Sequence, residues 1–116
     1  MAEILFVSLI HIIQNPEKYA EQHVRVVGVA SIKFEITGLY ISEADMRNAV
    51  TKNGLWIDVP SNEATRKLNG KYVIVEGVFD PSRKGHLGMW SGMIKDVSRF
   101  ELWSDPEQKP VDPKSN

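Results

Sequence analysis

The chain contains no cysteine, which excludes disulfide bonds, a thiolate nucleophile and a cysteine-ligated zinc site. It also has little excess charge, because 14 lysine and arginine residues stand against 15 aspartate and glutamate residues and give a formal net charge of -1. A near-neutral chain has no general attraction to the phosphates of nucleic acids. These absences leave the compartment open: we favour the cytoplasm, with the periplasm as the alternative if a signal sequence has been removed.

Long hydrophobic runs are also missing. The most apolar stretch, residues 4–13, is too short to span a bilayer as a helix, so we expect no membrane span. It lacks the basic residues before it and the small-residue cleavage site after it that a secretory signal has. Ser8 is instead a suitable N-cap, which predicts a short helix over residues 8–14 that Asn15 and Pro16 terminate.

A repeated strand pattern is the most informative feature that is present. Residues 23–29 (His-Val-Arg-Val-Val-Gly-Val) recur later as residues 72–78 (Tyr-Val-Ile-Val-Glu-Gly-Val). In both copies valines at every second position define an inward face, and a glycine then permits a bend in a strongly coiled strand. Bent strands of this kind are typical of small closed barrels. The 116 residues, 42% of them hydrophobic, are enough for one such domain.

The hydrophobic pattern predicts five strands, over residues 23–33, 39–42, 55–59, 71–79 and 89–103. Residues 34–38 are predicted to form a turn, and residues 43–54 a helical turn followed by a loop. Ser61 or Asn62 is expected to cap a short helix between the third and fourth strands. Residues 104–116 contain three prolines and one aliphatic side chain and are predicted to be a flexible tail, so that residues 1–103 form a single domain.

The order strand, strand, strand, helix, strand, strand is typical of the OB-fold. Residues 15–19 (Asn-Pro-Glu-Lys-Tyr), 24–28 and 71–77 resemble small bacterial OB-fold proteins related to the tRNA-anticodon-binding group. The resemblance covers roughly residues 8 to 103. It implies a mainly β, five-stranded Greek-key barrel with an N-terminal helix, and it implies a scaffold rather than a chemistry. An SH3-like barrel or a sandwich fragment is the alternative, which the helix between the third and fourth strands disfavours.

Strand parity predicts where a ligand binds. If Leu39 and Leu55 point inward, then Tyr40, Trp56 and Asp58 share the outer face of the second and third strands. Exposed aromatic rings there would stack on nucleic-acid bases or anchor a protein partner. The alternative is that the N-terminal helix or residues 43–54 fold over these rings and make them ordinary core.

The loop between the fourth and fifth strands, residues 80–88, is the best candidate for an anion contact. It carries Arg83, Lys84 and His86, and the predicted fold places Lys33 and Lys52 on neighbouring loops. Together these residues predict a small basic patch, whose binding to phosphates would be weak and salt-dependent. The alternative interpretation is an ordinary solvated turn.

Catalytic patterns are weak. His11, His23 and His86 do not have the spacing of metal ligands, so we expect no metal site and no cofactor. Asp80, His86 and Ser91 lack the nucleophile elbow and oxyanion loop that a catalytic triad needs.

The sequence therefore predicts a non-enzymatic binding module. A protein partner is favoured, in an adaptor, inhibitor or immunity-type role. Weak binding of a single-stranded oligonucleotide is the alternative, which the pI of about 6.3 opposes. The oligomeric state is left open, because an edge strand either pairs with another copy or stays free.

Overall fold

The computed structural model describes residues 3–104, apart from the side chain of His86. This part of the chain is mainly β, with a six-stranded mixed sheet and a few short helices. The elements in chain order are β1 (Leu5–Phe6), α1 (Leu9–Gln14), α2 (Pro16–Tyr19), β2 (His23–Lys33), β3 (Ile36–Tyr40), α3 (Glu43–Arg47), a 3₁₀ turn (Thr51–Asn53), β4 (Gly54–Ile57), α4 (Glu63–Arg66), β5 (Tyr72–Asp80), a second 3₁₀ turn (His86–Gly88) and β6 (Met93–Leu102). No helix within these residues has the length and apolar character that crossing a membrane requires.

The N-terminal segment folds as its capping residue predicts. The Ser8 hydroxyl accepts a hydrogen bond from the backbone N–H of His11 at 3.2 Å, which satisfies one free donor of α1. Asn15 ends this helix and Pro16 begins α2. The strand β1, which pairs parallel with the start of β2, was not predicted, because two residues are too few to show a period.

The long strand β2 organises the sheet. It pairs antiparallel with β3 on one side and antiparallel with β5 on the other. Strand β3 pairs antiparallel with β4, β4 pairs parallel with β6, and β6 pairs antiparallel with β5. Each of the five strands from β2 to β6 therefore has two of the others as neighbours, and β1 is added to β2.

The two copies of the repeated strand pattern pair with each other. Val26 lies opposite Val75, and on either side of this pair Val24 lies opposite Gly77 and Gly28 opposite Val73. Each glycine thus faces a valine of the other copy. The pairing of β5 with β6 is irregular between Glu76 and Val78, which agrees with the predicted bend at Gly77.

The core lies on the inward face that strand parity predicts. Leu39, Leu55 and Ile57 are almost completely buried in it. The other buried core residues come from the N-terminal helices and from the remaining long strands: Leu9, Ile12, Tyr19, Val24, Val26, Ala30, Val73, Val75, Phe79 and Ile94. The helix α1 therefore closes the core through Leu9 and Ile12.

Several strand boundaries differ from the prediction. Strand β3 starts at Ile36, because the connection from β2 is only Phe34 and Glu35, and Phe34 takes a left-handed conformation with φ 57°. Strand β4 ends at Ile57. Strand β6 starts only at Met93, since the preceding residues belong to the loop that follows β5. The predicted tail, residues 104–116, falls outside the described residues from position 105 onward.

A carboxylate between two guanidinium groups joins three strands on the outer surface. Glu76 of β5 is only 7% exposed. Its carboxylate oxygens accept from Arg99 of β6 at 2.9 Å and from Arg25 of β2 at 3.4 Å. The hydrogen bond from Arg99 holds the pKa of Glu76 below its ordinary value of 4.5, with Arg25 acting in the same direction and burial opposing both.

This arrangement predicts an acid-dependent loss of stability. Because the folded-state pKa is lowered, the contribution of Glu76 is complete above its ordinary value and is lost as the pH falls through the lowered one. We expect Glu76→Gln to reduce the free energy of unfolding by about 1–2 kcal/mol at neutral pH, a small value because both guanidinium groups are partly exposed. The difference from the wild type should shrink below pH 4.5, as urea denaturation at a series of pH values will measure.

The matched control is Glu63→Gln, because Glu63 is exposed on α4 and forms no salt bridge within residues 3–104. Its effect should stay within about 0.5 kcal/mol at every pH. A Glu76→Gln difference that is the same at neutral and at acid pH would contradict the role assigned to the ion pairs.

Candidate functional site

Trp90 packs on the outer face of β3 and β4, on the side of the sheet opposite the core. Its indole occupies a slot above Gly38 of β3 and Gly54 of β4. A Cβ atom at Gly38 would overlap Cη2 of Trp90 and lie 2.6 Å from Cζ3, and a Cβ at Gly54 would lie 3.0 Å from Cζ3. Two glycines on adjacent strands thus make the slot, and Trp90 in it is only 6% exposed.

The loop of residues 81–92 is fastened to β4 by its backbone. Ser91 N–H donates to the carbonyl of Gly54 at 3.2 Å, and Trp56 N–H donates to the carbonyl of Gly92 at 2.9 Å. Gly85, with φ +71°, passes between the two indoles, because a Cβ there would overlap Trp56 and lie 2.5 Å from Cδ1 of Trp90. The loop therefore forms a second packed layer over the sheet.

Of the two alternatives that the sequence left open for Tyr40, the structure shows the covered one. Its ring is on the predicted outer face, but it is only 4% exposed, and its centroid lies 5.3 Å from that of Trp90 at an interplanar angle of 57°. Burial raises the pKa of the Tyr40 hydroxyl. The loop that carries Trp90 covers the ring through the contact between Trp90 and Tyr40, whereas the sequence suggested cover by the N-terminal helix or by residues 43–54. Trp56 is half-buried next to the same loop.

A groove adjoins Trp90 on this face, and we call it the Trp90 groove. Its volume is about 240 Å³, and its lining residues are Ser31, Lys33, Phe34, Ile36, Tyr40, Ala49 and Trp90. Phe34, in the turn between β2 and β3, is 91% exposed. Lys33 is exposed beside it at the end of β2. The groove is thus an apolar depression with a cation and a free aromatic ring among its lining residues.

A second cavity, of about 230 Å³, also adjoins Trp90, and we call it the lysine cleft. It is lined by Ile13, Pro16, Lys52, Pro81, Lys84, Trp90 and Ser91. Lys52 Nζ donates to the carbonyl of Gly88 at 3.2 Å, which ties the 3₁₀ turn before β4 to the loop. Lys84 is exposed, and its carbonyl accepts from Trp90 N–H at 2.9 Å. Two lysines from distant parts of the chain therefore meet in one cleft.

The predicted basic patch is only partly assembled. Lys52 and Lys84 share the lysine cleft, whereas Lys33 lines the Trp90 groove. Arg83 lies 3.7 Å from Asp80 and is therefore partly neutralised. Asp58 is exposed just after β4 and lines neither cavity, and the side chain of His86 lies outside the described part of the chain.

Asp80 anchors the start of the same loop. It is buried, and its carboxylate accepts hydrogen bonds from the Ser82 hydroxyl at 2.6 Å and from Lys95 Nζ at 3.2 Å. The bond from Ser82 is the main cause that lowers the pKa of Asp80, and Lys95 contributes in the same direction. Lys95 also pairs with Glu21 at 2.9 Å. These contacts give Asp80 a structural role in holding the loop.

A larger apolar depression, the N-terminal groove, lies away from these residues. Its volume is about 380 Å³, and it is lined by Phe6, Val7, Ser8, Leu9, Ile10, Val27, Ile41 and Trp103. Phe6 packs edge-on against Trp103 with ring centroids 6.4 Å apart. Of the described side chains that the sequence singled out for binding, none lines this groove.

Sequence reasoning missed two residues of the site, Phe34 and Trp90. Phe34 looked like part of a longer turn, and no local pattern shows that its ring is left uncovered. Trp90 falls within the strand that was predicted over residues 89–103 and was not singled out for binding. The glycines at positions 85, 88 and 92 were the available signal, because their density argues against regular strand on either side of Trp90.

Comparison of the chain with models of protein families, with curated proteins and with solved structures gives no match.

Proposed function

We propose that the chain is a non-enzymatic OB-fold binding module, as the resemblance of its sequence implies. The pairing of strands supports this fold, because β2, β3, β4, β6 and β5 follow one another as neighbours and β5 returns to β2. The antiparallel pairs and the single parallel pair among these five, β4 with β6, suit a five-stranded Greek-key barrel. The helix α4 lies between the third and fourth strands of this set, as the proposal requires.

The ligand of this module is a protein, bound on the surface formed by the Trp90 groove and Phe34. The observation that carries this proposal is the 91% exposed ring of Phe34 beside an apolar groove. An exposed aromatic side chain next to a pocket is typical of an interface anchor. The groove, at about 240 Å³, is smaller than the roughly 300–1,000 Å³ of small-molecule sites, which favours a single side chain of a partner over a cofactor.

A single-stranded nucleic acid fits this surface less well. Base stacking needs free ring faces, and the rings of Tyr40 and Trp90 are packed against each other and almost fully buried. The net charge of -1 also gives no general attraction to phosphate. Phe34 remains as a stacking ring, so an oligonucleotide is the second ligand to test.

We expect a photo-crosslinking amino acid at position 34 to trap a protein partner in the native cell. Position 34 is suited to the probe because the ring of Phe34 makes little contact with the rest of the domain. Position 67 is the control, because Lys67 is exposed at the end of α4 and lines none of the three cavities. Phe34→Ala should then weaken the binding of the trapped partner by at least tenfold, as expected for an interface anchor.

A third probe at Ile10 distinguishes the two apolar surfaces. Ile10 is partly exposed and lines the N-terminal groove. Crosslinks at position 10 without crosslinks at position 34 would show that the partner binds at the N-terminal groove, and would refute the proposal. If a labelled oligo-dT binds at moderate salt, and binds the Phe34→Ala variant more weakly, the ligand of this surface is a nucleic acid and not a protein.

A further inference from the structure

Three lysines around Trp90 have no acidic partner within the described residues. Lys33, Lys52 and Lys84 form no salt bridge there, whereas Arg25, Arg47, Arg83, Lys95 and Arg99 each do. Lys52 uses one donor on the carbonyl of Gly88, which leaves its charge uncompensated. Lys18, Arg66, Lys67 and Lys71 also form no salt bridge within the described residues, but they line none of the three cavities. Among the described residues, the unpaired cations that line a cavity are therefore Lys33, Lys52 and Lys84.

The linings of the Trp90 groove and of the lysine cleft contain no aspartate and no glutamate among the described residues. Asp80, at the base of the adjoining loop, is already engaged by Ser82, Arg83 and Lys95. The Trp90 groove is therefore apolar, and the linings of the two cavities together carry three positive charges, although the whole chain has a net charge of -1. A local surplus of one sign in a nearly neutral protein favours a partner of the opposite charge.

We infer that the surface binds an acidic segment of a polypeptide. An apolar side chain of that segment enters the Trp90 groove, and neighbouring carboxylates bind Lys52 and Lys84 in the lysine cleft, which shares Trp90 with the groove as a lining residue. This inference rests on the proposed function and adds the chemistry of the partner to it. Apolar contact supplies the affinity, and the lysines select for acidic sequences and accelerate encounter.

A random copolymer of glutamate and tyrosine, labelled with fluorescein, is a suitable probe because it carries both chemical features. We expect it to bind at low salt, with an affinity that decreases as salt is added. Polyglutamate lacks the apolar side chain and should bind at least fivefold more weakly. A copolymer of lysine and tyrosine should not bind, because its charge has the wrong sign.

Variants of the lysines test the site itself. An exposed ion pair is worth about two- to fivefold in affinity, so Lys52→Gln with Lys84→Gln should weaken binding of the glutamate–tyrosine copolymer by about five- to twentyfold. The matched control is Lys67→Gln with Lys71→Gln, which makes the same change in net charge on exposed residues that line neither cavity. If loss of the bond from Lys52 to Gly88 impairs folding, Lys84→Gln alone is used, with an expected loss of about two- to fivefold.

Equal losses in the two double variants would overturn the inference, because the effect would then follow net charge and not the cleft. The inference would also be overturned if polyglutamate bound as tightly as the glutamate–tyrosine copolymer, or if that copolymer did not bind at low salt. Stronger binding of oligo-dT with the same dependence on Lys52 and Lys84 would assign the surface to a nucleic acid. If a protein still crosslinks at position 34 while the acidic copolymer fails, the proposed function stands and only the acidic character of the partner is wrong.

Discussion

Trp90→Ala is expected to lower the free energy of unfolding by about 3–5 kcal/mol, as for other buried tryptophans replaced by alanine. The indole fills the slot above Gly38 and Gly54, contacts the ring of Tyr40, and lies against the backbone of Gly85. Alanine would leave all of these surfaces without a neighbour. Urea denaturation, followed by circular dichroism so that the signal does not depend on the removed tryptophan, will measure the change.

The control for this substitution is Leu87→Ala in the same loop. Leu87 is 82% exposed, so its removal should change the free energy of unfolding by no more than about 0.5 kcal/mol. Similar small effects of Trp90→Ala and Leu87→Ala would show that the indole does not hold the loop on the sheet. Because Trp90 lines both the Trp90 groove and the lysine cleft, a loop released from the sheet would also lose the proposed binding surface.

Long strands with regular alternation were predicted well. The bounds of β2, His23–Lys33, agree with the prediction at both ends, and β5 differs by one residue. In both strands valines at alternate positions give a signal that is independent of the rest of the fold. The cap at Ser8 was equally local, because a hydroxyl that satisfies a free helical N–H needs no distant partner.

Short elements and their boundaries could not be predicted from such local patterns. The two residues of β1 have no period, and their strand conformation depends on the neighbouring β2. The turn at Phe34 and Glu35 contains neither glycine nor proline, so nothing in its sequence marks a two-residue connection. Pairing between β2 and β3 determines this turn, and pairing is a tertiary property.

The candidate site shows which part of a binding surface a sequence can specify. Parity correctly placed Tyr40 and Trp56 on the face opposite Leu39 and Leu55, because side chains alternate along any strand. Whether that face is bare or covered depends on the path of a loop from another part of the chain. Here the loop covers Tyr40, whereas Phe34 in the turn is left free. The candidate binding surface is therefore formed by the cavities beside Trp90 and not by the predicted rings.

For the cations, too, the sequence indicated the individual residues, and only the fold showed which of them lie together. Lys84 was recognised from its position in a glycine-rich loop, and Lys52 from a neighbouring loop of the predicted fold. Their meeting in one cleft, together with the pairing of Arg83 with Asp80, required coordinates. Of the described side chains of the predicted patch, only Lys52 and Lys84 therefore line the same cavity.

Gly38→Ala is expected to destabilise the domain by about 1–3 kcal/mol, which is large for the addition of one methyl group. The added Cβ would overlap Cη2 of Trp90, and the indole cannot move away freely because it also packs against Gly85 and the ring of Tyr40. Gly38 has no positive φ, so alanine suits its backbone and the cost is purely steric. In a strand that has room for the methyl group, the same substitution would be neutral or slightly stabilising, because glycine loses more entropy on folding than alanine.

Combining Gly38→Ala with Trp90→Ala separates these two effects. When the indole is absent the methyl group no longer meets it, so the double variant should be more stable than the sum of the single changes predicts, by about 1 kcal/mol or more. Gly77→Ala with Trp90→Ala is the matched control cycle, because Gly77 packs against Ile94 and the carbonyl of Lys95, away from Trp90. The free-energy changes of these two substitutions should add to within about 0.5 kcal/mol. Additive effects at Gly38 would mean that the indole does not lie over this glycine in solution, and the Trp90 groove would then lose the wall that defines it.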